Sequence, residues 1–378
     1  MMAGGSTIID PRDNVLGRAR VTDTPELEAF YEELAGRNAG AFWKRANAIE
    51  PWEPETRYRP TLWRYADMRG MCLRALDLVK PEEAGRRVVT LLNDSDAGRE
   101  NVAVCGWLFS GMQAMRPGEI TPAHRHTASA HRFIMEGKGA YTVVDGHHIT
   151  LGANDYVLTP NGAWHDHGVV ADGEVSIWQD GLDIPLMNSL ETNFYAVYDQ
   201  PAQTAAFPAD DLPLSYGGAA LRPEGLPAWD KPYSPVMVYR WEATRDALWN
   251  LAKVSDGTPF DGHMVRYSNP LTGGWALQTM GAHMQMLKPG FRGKAHRHTG
   301  NVVYNVASGR GYSIIGGERF DWGTHDIFCV PAWVWHEHVN LDPSEEAFLF
   351  SFNDFPVMEA LGVRIEEAYS DHGGHQPA

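Results

Sequence analysis

The chain has 378 residues, of which 43% are hydrophobic and 21% charged, a composition typical of a globular protein and not of a disordered one. Its formal net charge of -16 at pH 7 argues against nucleic acid or an anionic membrane as a partner, because such partners select basic surfaces. Only three widely spaced cysteines occur, and neither a signal-peptide pattern nor a membrane-spanning apolar segment is present. We therefore expect a soluble cytoplasmic protein.

Helical patterns dominate the first part of the chain. Thr24 is a capping residue followed by Pro25 and early acidic residues, and apolar residues recur at helical spacing through Glu50. After a proline-rich turn, a second helical pattern covers residues 63–79. We therefore assign residues 1–95 to a mainly helical N-terminal arm.

Near Val102 the pattern changes to short alternating apolar segments separated by Gly, Pro, Asn and Asp. Such segments are typical of the strands of a β sandwich or barrel. We assign residues 96–190 to a first β domain and residues 266–353 to a second. Between them, residues 191–265 form an ordered connector with one helix, and residues 354–378 form a C-terminal helix and tail.

The two β domains are copies of one another. Seven residues of the first recur 172 positions later in the second, from Gln113, which matches Gln285, to Gly139, which matches Gly311. After a one-residue deletion, further matches such as Trp164 with Trp335 lie 171 positions apart. An offset this constant indicates an internal duplication.

Each copy contains a His-x-His pair and a later histidine. Alternate residues of a strand face the same side, so His124 and His126 point together, and His165 follows 39 residues later. The second copy repeats the arrangement with His296, His298 and His336. A lone buried histidine is usually a core residue with satisfied hydrogen bonds, but the recurrence of all three positions favours a metal site.

The motifs around these histidines resemble a known family. PGEITPAHRH, GKGAYTVVDG and TPNGAWHDHG are similar to the two motifs of a cupin, a double-stranded β-helix or jelly-roll barrel, and the duplication implies a bicupin. With QDGLDIPLMN, YRWEATRDAL and NPLTGG, the chain resembles the gentisate 1,2-dioxygenase family, which includes salicylate and 1-hydroxy-2-naphthoate dioxygenases. The resemblance implies an all-β core of two barrels, an N-terminal helical arm and a C-terminal helix.

The resemblance also implies a metal and a reaction. Most metal cupins add a glutamate ligand four or five residues after the second histidine, but Ala130 and His131 stand there. Three neutral imidazoles suit Fe(II) and leave positions for a substrate carboxylate, its ortho-hydroxyl and O2. We expect an Fe(II)-dependent enzyme of aromatic degradation that opens the ring of a 2-hydroxybenzoate, gentisate first, between the carboxyl-bearing and hydroxyl-bearing carbons.

Several residues near the first triad acquire roles from the resemblance. Arg132 is expected to bind the substrate carboxylate, with Gln113 close to it on the barrel wall. His167 is expected to hydrogen-bond the substrate or oxygen. An arginine of the N-terminal arm, Arg86 or Arg87, is expected to reach the site.

Two further residues are candidates of a different kind. Asp180 is a supporting partner of the site. His131 stands where relatives usually place an apolar residue, and it either faces the cavity or lies on the opposite side of its strand as a structural residue. Because side chains alternate along a strand, only one of His131 and Arg132 is expected to point inward.

The two copies are not equivalent, because Tyr304 replaces Arg132. We expect catalysis in the first copy and treat the second triad as a candidate structural metal site. Salicylate, substituted salicylates and 1-hydroxy-2-naphthoate remain alternative substrates. A non-catalytic bicupin and a manganese cupin of the oxalate-decarboxylase type remain alternative classes. The resemblance implies a homodimer or homotetramer.

Overall fold

The structure is a computed structural model that describes residues 21–218 and 221–377. It divides into two compact units, Met1–Glu55 and Thr56–Ala378. Both predicted histidine triads lie in the second unit. The five-part division predicted from the sequence stays a prediction.

Among its described residues, 21–55, the first unit contains two helices, α1 (Pro25–Ala35) and α2 (Phe42–Ile49). The Thr24 hydroxyl accepts a hydrogen bond from the Leu27 amide and caps α1. The sequence predicted one continuous helix here, but α1 ends at Ala35 with Gly36 as its C-cap, and Asn38 adopts a left-handed conformation with φ of 55°. This local turn divides the predicted helix in two.

The second unit contains seven helices among its described residues. They are α3 (Tyr65–Leu78), α4 (Pro81–Ala84), α5 (Asp96–Asn101), α6 (Ile184–Ser189), α7 (Asp211–Tyr216), α8 (Trp241–Ala252) and α9 (Phe355–Ala360). The C-terminal helix α9 is shorter than the sequence pattern predicted, because the chain turns at Gly362 with φ of 71°. Across the described ranges, no helix combines the length and apolar character needed to cross a membrane.

The described residues form twenty-two strands, numbered in chain order. The first eleven are β1 (Thr61–Trp63), β2 (Val88–Thr90), β3 (Phe109–Met115), β4 (Ile120–His126), β5 (Ala130–Glu136), β6 (Ala140–Val144), β7 (His147–Thr150), β8 (Tyr156–Thr159), β9 (His165–Val169), β10 (Ser176–Leu182) and β11 (Tyr195–Val197). The others are β12 (Val238–Tyr239), β13 (His263–Arg266), β14 (Gly281–Leu287), β15 (His296–His298), β16 (Val302–Ser308), β17 (Arg310–Ile315), β18 (Glu318–Gly323), β19 (Ile327–Val330), β20 (His336–Asn340), β21 (Ala347–Asn353) and β22 (Glu366–Ala368).

These strands form two barrels of two sheets each. The first barrel has the sheets β12-β8-β5-β10-β3-β2 and β11-β4-β9-β6-β7. The second has the sheets β1-β19-β16-β21-β14-β13 and β18-β17-β20-β15-β22. The strand orders correspond one to one, as the duplication in the sequence predicts.

The two barrels exchange edge strands. Strand β1 precedes the first barrel in sequence but pairs with β19 of the second, and β12 precedes the second barrel but pairs with β8 of the first. A matching ion pair closes each exchange, since Arg64 lies 2.9 Å from Asp326 and Arg240 lies 2.7 Å from Asp155. The repeat therefore begins earlier than Gln113, where the sequence analysis first detected it.

The surface between the barrels is mostly aromatic. Phe133 of β5 and Phe350 of β21 stack with ring centroids 4.3 Å apart. A buried polar chain crosses the same surface, in which the Asn305 amide donates to Gln179 and the Gln179 amide donates to the Ser110 hydroxyl. Because all three side chains are buried, these hydrogen bonds help to fix how the two barrels meet.

Candidate active site

The first histidine triad lies inside the first barrel. His124 and His126 project from β4, and His165 begins the adjacent strand β9, where it pairs directly with His124. One ring nitrogen from each histidine lies within 4.8 Å of the other two, and all three side chains are buried. The triad predicted from the sequence is thus assembled in space.

Backbone carbonyls fix the tautomer of each ring. The Nδ1 atoms of His124, His126 and His165 lie 2.7, 2.7 and 2.9 Å from the carbonyl oxygens of Pro122, Ala128 and Ala163. A carbonyl only accepts, so each Nδ1 carries the proton and each Nε2 keeps a free lone pair. All three Nε2 atoms are buried without a hydrogen-bond partner among the described residues.

The electrostatics of the triad keep the imidazoles neutral. Burial lowers the pKa of His124 to about 4 and that of His126 to about 3, and it holds the pKa of His165 well below its ordinary value. Three neutral, convergent and otherwise unsatisfied nitrogen donors are what a divalent transition metal requires. The residues therefore fit a metal ion, and this group includes no carboxylate.

Arg132 lies in the same barrel as the triad. It projects from β5, and its Nη1 donates to the Thr159 hydroxyl at 2.5 Å. Its Nε lies 3.1 Å from Asp180 Oδ1, an ion-pair distance without hydrogen-bond alignment. Both side chains are 5% exposed, and burial lowers the pKa of Arg132 and raises that of Asp180. The Asp180 carboxylate therefore offsets the buried positive charge of Arg132 only in part.

The structure separates the two arginines of the N-terminal arm. Arg87 is buried in an ion pair with Glu119 at 2.5 Å and serves to anchor the segment. Arg86 lies near the triad, where its charge adds to the effect of burial in lowering the pKa of His124 and His126. Its guanidinium lies 5.6 Å from the ring centroid of Tyr195, which stacks on His124. Arg86 thus adds a second positive charge at the triad.

His167 lies beside the triad, with its ring centroid 5.4 Å from that of His165. Its Nδ1 lies 2.8 Å from the Thr142 hydroxyl, and that hydroxyl donates its own hydrogen to the Asp166 carbonyl. Thr142 must therefore accept from His167, so Nε2 of His167 is an unprotonated acceptor. This Nε2 is buried without a partner among the described residues, and burial holds the His167 pKa well below its ordinary value.

Gln113 lies on β3, directly opposite Trp178 of β10. Its amide nitrogen donates to the Thr121 hydroxyl at 3.2 Å, which fixes the side chain on the barrel wall. Trp178 is fully buried with its indole N–H unpartnered within the described structure. It makes an edge contact with His167 at 6.3 Å between ring centroids.

His131 faces away from the triad. It packs between the barrels against Phe352 and Tyr156, with ring centroids 4.4 and 5.4 Å away. Gly181 provides the space, because a Cβ there would lie 2.3 Å from His131 Nε2. Burial lowers the His131 pKa to about 3, so the ring is neutral. Of the two alternatives for this residue, its position favours a structural role.

The second triad has the same frame. His296 and His298 lie on β15, and His336 begins β20 opposite His296. Their ring nitrogens also lie within 4.8 Å of one another. The surroundings differ, because the residue at the position of Arg132 is Tyr304, whose ring lies 4.8 Å from that of His338.

Four residues of the first site were not predicted from the sequence: Thr142, Thr159, Trp178 and Tyr195. For one of them a signal existed. Thr142 corresponds to Ser313, whose hydroxyl lies 2.7 Å from His338 Nδ1, so a hydroxyl serves the equivalent histidine in both copies. For Thr159, Trp178 and Tyr195, the spacing between the two copies reveals no equivalent residue in the second barrel.

Comparisons with known proteins agree with this geometry. The Cupin domain family matches residues 111–185 and 283–352, one match in each barrel, so the chain is a bicupin. A 5-aminosalicylate 1,2-dioxygenase from Comamonas sp. is 37% identical over 355 residues, which cover 93% of this chain and 92% of that protein. Gentisate 1,2 dioxygenase 1 from Aquipseudomonas alcaligenes is 34% identical over 343 residues, which cover 90% and 95%.

A solved structure extends the match to three dimensions. Salicylate 1,2-dioxygenase from Pseudaminobacter salicylatoxidans superposes with a TM-score of 0.84 at 29% identity, covering 92% of this chain and 99% of that one. The chain therefore belongs to the gentisate 1,2-dioxygenase family of ring-cleaving bicupins, as the sequence motifs predicted. It is accordingly a metal-dependent ring-cleaving dioxygenase.

Proposed function

We propose that the first barrel holds an Fe(II) ion and that the enzyme opens the ring of a 2-hydroxybenzoate there, between the carboxyl-bearing and hydroxyl-bearing carbons. The observation that carries this proposal is the neutral triad of His124, His126 and His165 beside two arginines. Three imidazoles without a carboxylate leave the ion's charge uncompensated, which favours an anionic chelating substrate. When bound, the iron supplies the chelation of that substrate and the electrons that activate O2.

Arg132 is the residue proposed to hold the substrate carboxylate. Its guanidinium is buried, so an ion pair with a carboxylate is stronger there than in water. Thr159 and Asp180 hold the guanidinium from two sides and fix its orientation before the substrate arrives. Arg86 offers a second cation near the triad, which suits an anionic ring acid.

His167 is proposed to accept a hydrogen bond at Nε2 from the ring hydroxyl of the substrate. The Thr142 hydroxyl accepts a hydrogen bond from the protonated Nδ1 of His167, so Nε2 is unprotonated and acts as the acceptor. Because burial opposes a charged imidazolium, His167 orients this proton without becoming a stable cation. Gln113 is proposed to line the same cavity beside the substrate ring.

Gentisate is our first proposed substrate. Relatives are named for gentisate, 5-aminosalicylate and 1-hydroxy-2-naphthoate, which share a carboxylate with a neighbouring hydroxyl and differ elsewhere on the ring. Salicylate and substituted salicylates therefore stay alternatives, and the reaction belongs to the degradation of aromatic acids. A homodimer or homotetramer in the cytoplasm stays a prediction.

Oxygen uptake tests the proposal. Protein loaded with Fe(II) under anaerobic conditions is mixed with gentisate, salicylate, 5-substituted salicylates or 1-hydroxy-2-naphthoate in air-saturated buffer. We expect uptake with at least one ring acid, and none after the His165→Ala substitution. Benzoate, which lacks the hydroxyl, is the matched control acid and should give no uptake. Uptake that survives in His165→Ala would contradict the assignment to the first barrel.

A further inference from the structure

The two barrels differ in the charge that they present to their histidines. In the first barrel, Arg86 precedes the edge strand β2 by two residues and lies near the triad. In the second barrel, the residue two before the equivalent edge strand β13 is Asp261. Its Oδ1 lies 3.9 Å from His296 Nε2. An acid therefore stands beside the second triad where a base stands beside the first.

The backbone around Asp261 is held in a fixed turn. Thr258 and Gly262 pair across it, with N–H to carbonyl distances of 2.7 and 3.1 Å. The Thr258 hydroxyl accepts from the Asp261 amide, and the Gln285 amide nitrogen donates to the Asp261 carbonyl at 2.8 Å. Gly257 has φ of 76°, and a Cβ there would lie 2.2 Å from the Gly262 carbonyl oxygen, so this turn requires glycine. This turn thus fixes the backbone of Asp261, and its carboxylate lies beside His296.

We propose that His296, His298 and His336 form a second metal site, in which the Asp261 carboxylate turns onto the bound ion as the fourth ligand. In the structure Asp261 Oδ1 lies 3.9 Å from His296 Nε2 and outside the group of three ring nitrogens that lie within 4.8 Å of one another. The three imidazoles are assembled within 4.8 Å, and His336 Nε2 is buried without a partner among the described residues. A set of three imidazoles and one carboxylate matches tetrahedral Zn²⁺. With four protein ligands the site is closed to a chelating substrate, so its role is to stabilise the barrel.

The remaining charged and titratable groups near this site fit the same assignment. Arg364 is a cation near the triad, and its charge adds to burial, the main cause, in lowering the pKa of the triad histidines. Its charge is offset by Glu366, whose carboxylate lies 3.5 Å away. Glu359 and Asp354 are further acids near Arg364. Burial raises the pKa of Tyr304, raises that of Asp261 to about 6 and lowers that of His338. The Asp261 carboxylate then supplies the negative charge next to the ion.

Zinc binding in a protein that lacks the first site tests this proposal. In a His165→Ala background, Zn²⁺ added to metal-free full-length chain should bind at one ion per chain by elemental analysis and should raise the melting temperature. Adding Asp261→Asn, a change of nearly equal volume, should weaken zinc binding at least tenfold in chelator competition. Asp256→Asn removes a carboxylate from the same loop at an exposed position and should leave zinc binding unchanged.

Three outcomes would overturn the proposal. Equal zinc affinity with Asn at position 261 would show that Asp261 is not a ligand. The absence of zinc from the folded His165→Ala protein would show that the second triad holds no metal. Ring cleavage by His165→Ala would show that the second site is catalytic and open to substrate. Because the first site is disabled in every protein compared, none of these outcomes depends on the substrate proposed for the first barrel.

Discussion

Replacing Arg132 with methionine separates its role in binding from its role in stability. The substitution removes the guanidinium that we propose holds the substrate carboxylate. A hydrogen bond to a charged group contributes about 1.5–3 kcal/mol, which corresponds to a fall in kcat/KM of roughly 10- to 150-fold. We expect most of that fall as a higher KM, because the interaction exists before the transition state.

The same substitution leaves Asp180 buried without its cation. Breaking a buried ion pair from one side destabilises by about 3–5 kcal/mol. Burial already raises the pKa of Asp180, and losing Arg132 raises that pKa further. An acid with a raised folded-state pKa destabilises the protein as pH rises through that value, so the Arg132→Met protein should be less destabilised in acid than at neutral pH. Urea unfolding at several pH values measures this difference.

The double variant Arg132→Met with Asp180→Asn is the matched control. It removes both charges, so stability should recover to within about 1–2 kcal/mol of the wild type, since neutral replacements of buried ion pairs are often tolerated. The ring-cleavage defect should persist, because the carboxylate still lacks its cation. Recovery of kcat/KM together with stability would refute the proposed role of Arg132 and leave the residue with a structural role.

Four further predictions concern the histidines and the residues that contact them. Thr142→Val should lower kcat by about tenfold, the loss of one hydrogen bond of ~1.4 kcal/mol, with KM little changed, whereas Thr142→Ser should retain activity. Burial lowers the pKa of His124 to about 4 and that of His126 to about 3. Metal retention in equilibrium dialysis should therefore stay nearly constant from pH 8 to pH 5 and fall below about pH 4. A loss of metal that starts near the ordinary histidine pKa of about 6.5 would contradict this prediction. Gly181→Ala should destabilise the protein by about 1–3 kcal/mol in urea unfolding. Adding His131→Ala to Gly181→Ala should recover part of that loss. Strictly additive effects of the two substitutions would show that the two residues do not compete for space. His131→Leu should leave both iron content and substrate profile unchanged.

The sequence was sufficient for features that depend on local spacing and on the repeat. His-x-His on a strand dictates that both rings share a face, and the constant offset places a third histidine in each copy. The two-barrel core followed from strands of regular length. The roles of Arg132 and His167 came from the family resemblance, and these two residues lie six and two positions beyond a triad member.

Features that depend on contacts between distant segments were not predicted. The spacing of residues could not reveal the exchange of edge strands, because β1 pairs with the second barrel although the first follows it directly in sequence, and β12 pairs back with the first barrel. The position of His131 required Gly181 and Phe352, which lie 50 and 221 residues away in sequence. Asp261 was missed for a related reason, since it reaches the second triad from a loop outside the matched motifs.

Helix boundaries were the other source of error. A helical spacing of apolar residues continues through Gly36, but the left-handed Asn38 ends α1 and starts a turn. At the C-terminus, the pattern continues beyond Ala360, where the chain instead forms β22 against β15. In that case a tertiary interaction, the pairing of an exposed strand edge, prevailed over local helix propensity.

Isotope labelling tests the central claim most directly. Fe(II)-loaded protein is allowed to turn over its best ring acid under ¹⁸O₂, and the product is analysed by mass spectrometry. The proposed chemistry predicts a ring-opened product that contains both labelled oxygen atoms from one O₂ molecule, without exchange into water. A hydroxylated product with an intact ring, or a product that carries only one labelled atom when exchange is controlled, would contradict it.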